Sequence, residues 1–302
     1  MKKLSINQVT RMQDDPKLYA SGGASLLGGQ AFEELRDNAA LADLVGAMRE
    51  HEARFAKQLS DVDAASVRLW CQREIVALLE SRALEEASDS DDPSAFAHAV
   101  RSLRGAPSMA RKRRYAREVA NIYEHACGAG LFVPRRLDDY HRLWDLAMEC
   151  EPRWSEGYPS SAFRTRQSEV RSSREEEGIL QVNARPECIA TELSELLDFL
   201  SNEEVLQEVR AIASYASLEF THPFVDGNGH VGRMLLVASL ADRYSLPTIV
   251  RFSCLLTTNR QLGRLLIPLR KGERSIADFC LEVLAWLYGV QPEMPLDASP
   301  AS

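Results

Sequence analysis

The stretch Thr221-His222-Pro223-Phe224-Val225-Asp226-Gly227-Asn228-Gly229-His230-Val231-Gly232-Arg233 lies between two segments patterned as buried helices. Before it, Val205, Val209, Ile212, Ala213, Ala216 and Phe220 recur on one helical face. After it, from about Asn228, Val231, Met234, Leu235, Val237, Ala238 and Leu240 continue an apolar helix. A base, a carboxylate, flexible glycines, an amide and a guanidinium thus sit between core helices, where polar groups need a reason. His222 precedes a proline, which predicts an extended turn at that residue. Gly227 and Gly229 permit backbone conformations closed to other residues and let a ligand approach the main chain. The turn then opens a helix, whose free N–H groups and dipole favour an anion. Arg233 is suited to clamp phosphate oxygens, Asp226 to hold Mg²⁺, and His222 to accept a proton near neutral pH. Base, metal ligand, anion cradle and cation together describe group transfer from a nucleotide.

The rest of the chain narrows the setting. Its 302 residues allow one large domain or two small ones. Hydrophobic residues make up 45% and charged residues 26%, the balance of a soluble globular protein. A net charge of −8 argues against nucleic-acid binding, which wants a basic face. The cysteines at 71, 127, 150, 188, 254 and 280 form no Cys-x-x-Cys pair, which predicts reduced thiols rather than disulfides or a zinc site. No apolar h-region follows Met1-Lys2-Lys3, and the longest apolar run, Met234 to Ala241, is too short to cross a bilayer. A cytoplasmic protein with no membrane or nucleic-acid partner is expected, with an injected effector as the other compatible reading. Oligomeric state stays open, a homodimer among the options.

Helical periodicity dominates. The glycine-rich run 21–29 reads as a loop, because it lacks the Gly-Lys-Ser/Thr ending of a phosphate loop. A helix is expected from Ala31 to about Leu59. Val67, Trp70, Cys71, Ile75, Leu78 and Leu79 predict another over 61–86, ending in a polar loop that contains Pro93. The basic run Ala110-Arg111-Lys112-Arg113-Arg114-Tyr115-Ala116-Arg117 reads as a solvated helix face. His141 lies in a helix over 134–149 and reads as a packed histidine. Around the charged tip 171–178, short apolar runs near Phe163, Val170 and Ile179-Leu180-Gln181-Val182 predict a β-hairpin. Further helices are expected over 186–200, 202–220, from 228, from about Phe252 and over 276–288. The tail from Gln291 is expected to be disordered. Some nine helices and one hairpin make the chain all-α. The expected divisions are an N-terminal extension over 1–60, a helical region over 61–119, a main domain over 120–290 and a tail over 291–302.

The central stretch resembles the signature of the Fic family, His-Pro-Phe-x-Asp/Glu-Gly-Asn-Gly-Lys/Arg-x-x-Arg, over His222 to Arg233. One position departs: His230 stands where the family has Lys or Arg. The resemblance implies a Fic-type helical bundle with a small β-hairpin flap. It implies a protein adenylyltransferase that moves AMP from ATP, with Mg²⁺, to a hydroxyl of a target protein. It assigns catalysis to His222, the metal to Asp226, nucleotide contacts to Gly227, Asn228, Gly229, His230 and Arg233, and anchoring to Phe224. The flap, near 163–182, would dock the target. Some Fic proteins carry an inhibitory Ser/Thr-x-x-x-Glu-Gly/Asn helix whose glutamate pairs with the last arginine of the signature. Ser81 and Glu85 match that pattern, with Glu86 in the last position.

A neutral histidine at 230 would forgo a charge-assisted contact worth roughly 1.5–3 kcal/mol, and its ordinary pKa of about 6.5 predicts the neutral form. The sequence offers no obvious substitute for the missing charge. Weak transfer of AMP, another phosphate-containing donor, removal of AMP from a modified target with Glu85 positioning water, and a non-catalytic binding module are the alternatives.

Overall fold

The computed structural model describes residues 26–78, 92–103, 109–128, 130–151, 160–171, 179–270 and 272–292. Twelve α-helices run through the described residues: α1 Gln30–Asp37, α2 Ala39–Leu59, α3 Ala64–Ala77, α4 Pro93–Ser102, α5 Ala110–Cys127 and α6 Leu137–Met148 before the strands. After them come α7 Ile189–Ser201, α8 Gln207–Thr221, α9 Asn228–Ala238, α10 Leu246–Thr258, α11 Leu262–Arg270 and α12 Ile276–Gly289. The architecture is all-helical except for β1 Glu169–Arg171 and β2 Ile179–Val182, which pair antiparallel. Residues 172–178 lie outside the described part, and with them the expected tip of a flap.

Local chemistry explains where the helix count exceeds the expected one. The single helix expected over 31–59 is two, because the Asn38 side chain accepts from Leu41 N (3.1 Å) and starts a new helix. Asp92 caps α4 by accepting from Ser94 N (2.9 Å), with Pro93 in the first turn, where its missing N–H costs nothing. Pro247 plays the same part in α10, so that helix begins at Leu246 rather than near Phe252. The helix expected over 61–86 is described only as α3, to Ala77.

Helices α8 and α9 are buried almost all round and form the centre of the main core. Helices α6, α7, α11 and α12 surround them, and α1 and α2 contribute Leu35, Leu41, Val45 and Met48 to the same cluster. Arg49 grips the buried Glu208 of α8 with two bonds (2.9 and 2.7 Å). The Glu52 carboxylate accepts from Ser245 N and Thr248 Oγ1 at the start of α10 (both 2.7 Å). The disorder expected from Gln291 does not hold for that residue, which is buried with its Nε2 donating to Met48 O (3.0 Å); residues 293–302 lie outside the described part.

A second, smaller core joins Cys71 and Ile75 of α3, Phe96 and Val100 of α4, Val119 and Tyr123 of α5, and Val250 of α10. Helix α5 therefore serves two cores, since Ile122 belongs to the main one. That double anchoring holds the N-terminal half of α5 beside the start of α9. All six cysteines are free thiols. No described helix is long and apolar enough to cross a membrane.

Candidate active site

Helix α8 ends at His222, whose N–H bonds back to Leu218 O (2.8 Å). His222 is left-handed, φ 48° and ψ 58°, the only non-glycine with positive φ among the described residues. The extended turn expected from Pro223 is absent. The helix cap holds the backbone on one side and Arg164 on the other. Arg164 is 4% exposed. Its Nε donates to His222 O (2.7 Å), Nη2 to Thr221 O (3.0 Å) and to Ala184 O, and Nη1 to Arg166 O (2.9 Å). The segments leading to β1 and from β2 also bond the loop and the last turn of α8, through Arg164 N to Pro223 O (2.8 Å) and Ala184 N to Phe220 O (3.2 Å). A left-handed residue other than glycine costs on the order of 1–3 kcal/mol and persists where its surroundings fix it. Arg164 is the main such fixture, and the sequence reading passed over it.

Burial, and then the nearby Arg164 charge, lower the His222 pKa to about 4. The ring is therefore neutral near pH 7, and its buried Nδ1 has no hydrogen-bond partner.

Phe224 is fully buried, its ring 5.6 Å from Phe163 and 6.1 Å from Trp144. His141 is a packed histidine, its ring 4.4 Å from Phe163 and its Nδ1 bonded to Ser161 O. Trp144 Nε1 donates to Asp226 O (2.8 Å). Gly227 is left-handed (φ 84°), and a Cβ there would collide with the Met148 sulfur and sit 3.0 Å from Trp144 Nε1. Only glycine fits. Gly229, by contrast, is an ordinary residue of the first turn of α9, so the special backbone expected at both glycines is used at one. Asn228 is 2% exposed and spends both ends of its amide on Phe224, accepting from its N and donating to its O (both 2.9 Å). It locks the loop, with both ends of its amide engaged by the Phe224 backbone. The first helical bond of α9 is Val231 N to Gly227 O (3.0 Å), which leaves the N–H groups of 228–230 outside the ladder.

At the other end of the loop the charges are paired. Arg233 Nε lies 2.5 Å from Glu118 Oε1 and Nη2 lies 3.0 Å from Oε2. His230 Nδ1 is 3.0 Å from the same carboxylate, and Nε2 is 3.3 Å from Glu151. Burial works against the Glu118 carboxylate, but Arg233 and His230 hold its pKa down at about 2. Burial also opposes the His230 imidazolium, and Glu118 more than offsets it, so that its pKa lies well above the ordinary value. The Glu118 carboxylate thus favours the charged form of His230, where the sequence alone predicts the neutral one. Arg114 Nη2 lies 3.0 Å from Nε2 of the same ring. A guanidinium only donates, so this contact suits the deprotonated ring and the Glu151 contact suits the protonated one.

These groups line a cavity of about 380 Å³, bounded by His222, Asp226, Gly227, Gly229, His230 and Arg233 on the loop side. Arg111, Arg114, Tyr115 and Glu118 of α5 and Thr257 of α10 line the other side. The run 110–117, read as a solvated face, therefore turns Arg111, Arg114 and Tyr115 into the cavity. Their spacing to Glu118 (seven, four and three residues) is the helical signal for one shared face. It also brings to the cavity two arginines, Arg111 and Arg114, that the sequence reading did not offer as substitutes for a Lys or Arg at 230. Ser81 and Glu85 lie outside the described residues; the carboxylate found on Arg233 is that of Glu118.

Asp226 is exposed at the cavity mouth, with one carboxylate oxygen accepting from Gly227 N (2.7 Å). A single exposed hard ligand suits Mg²⁺, which keeps waters and takes its other oxygens from phosphates. The mixed group Cys150, Glu151 and His230, whose ligand atoms lie within 4.8 Å of one another, is already knit by its own contacts and flanked by Arg114. A further cation is disfavoured there.

Fold and site together define a helical protein with a buried histidine and the N-terminus of a helix beside one cavity on an interhelical loop. Residues 137–240 match the model of the Fic/DOC family. This part of the chain, which carries His222 to Arg233, is a Fic/DOC domain. Among solved structures, a Fic family protein from Desulfovibrio desulfuricans G20 is similar at 17% identity and a TM-score of 0.51. The match covers 84% of this chain and 73% of that one, and at this identity it speaks for the fold alone. No curated protein matches the sequence.

Proposed function

We propose that the chain is a nucleotide-dependent protein adenylyltransferase. The observation that carries this reading is the cavity itself. It sets a buried, neutral imidazole, an exposed carboxylate, unpaired helix N–H groups and arginines around one space. His222 would take the proton of a target hydroxyl as its oxygen forms a bond to the α-phosphorus. The bond from that phosphorus to the bridging oxygen would break, and pyrophosphate would leave. Backbone N–H groups of 228–230 would hold the α-phosphate oxygens. A bound Mg²⁺ on Asp226 would neutralise phosphate charge. The paired strands β1 and β2, whose flanking segments bond to the chain on either side of His222, offer a place where an extended target segment would add.

Glu118 favours a restrained resting state, since it occupies two of the three Arg233 nitrogens. An inhibitory carboxylate on that arginine, proposed for Glu85 on the family pattern, is then already supplied by α5. The same pairing would suit a binding module with an idle site.

Incubation with labelled ATP, Mg²⁺ and cell lysate separates these readings. The His222→Asn protein, whose asparagine tolerates the left-handed backbone, is the control. Label on protein that disappears in this variant is the expected result. Labelling equal in both proteins, or absent with every nucleoside triphosphate, overturns the transferase reading.

A further inference from the structure

The signature arginine is largely spent. Glu118 takes Nε and Nη2 of Arg233, and His230 lies between Glu118 and Glu151. A phosphate chain entering the cavity therefore meets few free charges on the loop side.

The opposite wall differs. Arg111 is exposed, lines the cavity and has no hydrogen-bond or ion-pair partner among the described residues. Arg114, one turn on, is held by Glu151 (3.0 Å) with its Nη2 turned to His230. Tyr115 stands beside it. Deeper in, Thr257 is only 9% exposed and its Oγ1 has no partner, an arrangement that costs free energy unless something fills it. Counting the groups that line the cavity, Arg111, Arg114, Arg233 and His230 face Glu118 and Asp226. The balance is positive and asks for an anion.

We propose that Arg111, Arg114, Tyr115 and Thr257 form a second anion subsite, on α5 and α10, that takes the outer phosphates of a nucleoside triphosphate. The subsite rests on the nucleotide-transfer reading for its ligand, and it lies outside the signature loop. Arg111 supplies the charge that Arg233 cannot, and Thr257 donates a hydrogen bond from the cavity floor. A compact polyphosphate reaches a hydroxyl at that depth. An acidic protein segment, held at the rim by its own backbone, does not.

The test is equilibrium binding of ATP, AMP and inorganic tripolyphosphate to the full-length protein, to Arg111→Gln and to Thr257→Val. The wild type should prefer ATP over AMP by about tenfold or more. Arg111→Gln should weaken ATP and tripolyphosphate by about fivefold or more and leave AMP unchanged. Thr257→Val should do the same by about twofold to fivefold. An ATP-to-AMP preference equal in all three proteins overturns the subsite, as does a wild type that binds neither ATP nor tripolyphosphate. So does an Arg111→Gln protein that loses only affinity for a protein acceptor, which would make the wall a docking face. The two readings fail separately. Tripolyphosphate binding that depends on Arg111, in a protein that labels nothing, keeps the subsite and sinks the transferase. Labelling with an unchanged ATP-to-AMP preference does the reverse.

Discussion

The two ends of the stretch from His222 to Arg233 follow opposite electrostatic plans. At the first, a histidine is held neutral in a strained backbone, with one ring nitrogen unpartnered and Arg164 beneath it. At the second, a histidine and an arginine are knit to Glu118, and the carboxylate favours the charged form of the histidine. One end keeps a reactive group unsatisfied. The other satisfies its groups so fully that they serve the fold before any ligand. The contrast implies that substitutions at the first end lower activity with little effect on stability, and that substitutions at the second do the reverse.

The largest effect tests the first end. His222→Asn should lower transfer by roughly 10²–10⁴-fold, the share a positioned base contributes. Its thermal midpoint should stay near that of the wild type. A variant that retains transfer, or that unfolds, would erase the contrast. The next tests the second end. Glu118→Ala leaves Arg233 and His230 buried beside one another without their carboxylate and should cost about 3–5 kcal/mol, read by urea unfolding. A loss under about 1 kcal/mol would mean the pair is solvated rather than buried.

The same contrast decides what the sequence could reveal. The loop's parts are local: Gly227 is required by its own φ, Asn228 reaches back four residues to Phe224, and Phe224 needs only burial. Such features follow from spacing, and the helices around them follow from apolar period. What was missed depends on tertiary placement. Glu118 lies 115 residues before Arg233, and nothing in spacing announces that they meet. Arg164 looked like one polar residue of an irregular region until its guanidinium reached four carbonyls. The shift of the His230 pKa away from its ordinary value has the same origin, since a reference value describes a residue in water. The arginines of α5 carried a readable signal, since Arg111, Arg114, Tyr115 and Glu118 share a helical face. Composition alone cannot say whether a basic face meets solvent or a cleft.

A pH comparison sharpens the contrast at smaller amplitude. The folded pKa of His222, about 4, lies below its ordinary 6.5. Its contribution to stability is full above pH 6.5 and is lost as pH falls through about 4. The folded pKa of His230 is raised. Its contribution is full below pH 6.5 and is lost as pH climbs through that raised value. His222→Gln should therefore flatten the acid side of the stability–pH curve, by about 1–3 kcal/mol between pH 6.5 and 4. His230→Gln should flatten the alkaline side instead. Urea unfolding across pH 4–9 reads both. Two variants that flatten the same side would show that the histidines share one environment.

The smallest effect concerns the departure that made this signature unusual. If a neutral ring stood at 230, His230→Lys would restore a missing charge and tighten donor binding by roughly tenfold, the weight of a charge-assisted bond. The structure points the other way. Glu118 and Glu151 flank the ring and keep it protonated near neutrality, so a fixed charge adds little that is not already there. His230→Lys should then change the donor dissociation constant at pH 7 by less than about threefold, under 1 kcal/mol. The difference should grow as pH rises and the wild-type ring loses its proton. The measurement is donor binding by wild type and variant at pH 7 and pH 9, with unfolding curves to confirm that the longer side chain is accommodated at a site only 3% exposed. A tenfold gain at pH 7 would mean that Arg114, not Glu151, is the working partner of Nε2, and that the second end of the loop is short of a charge after all.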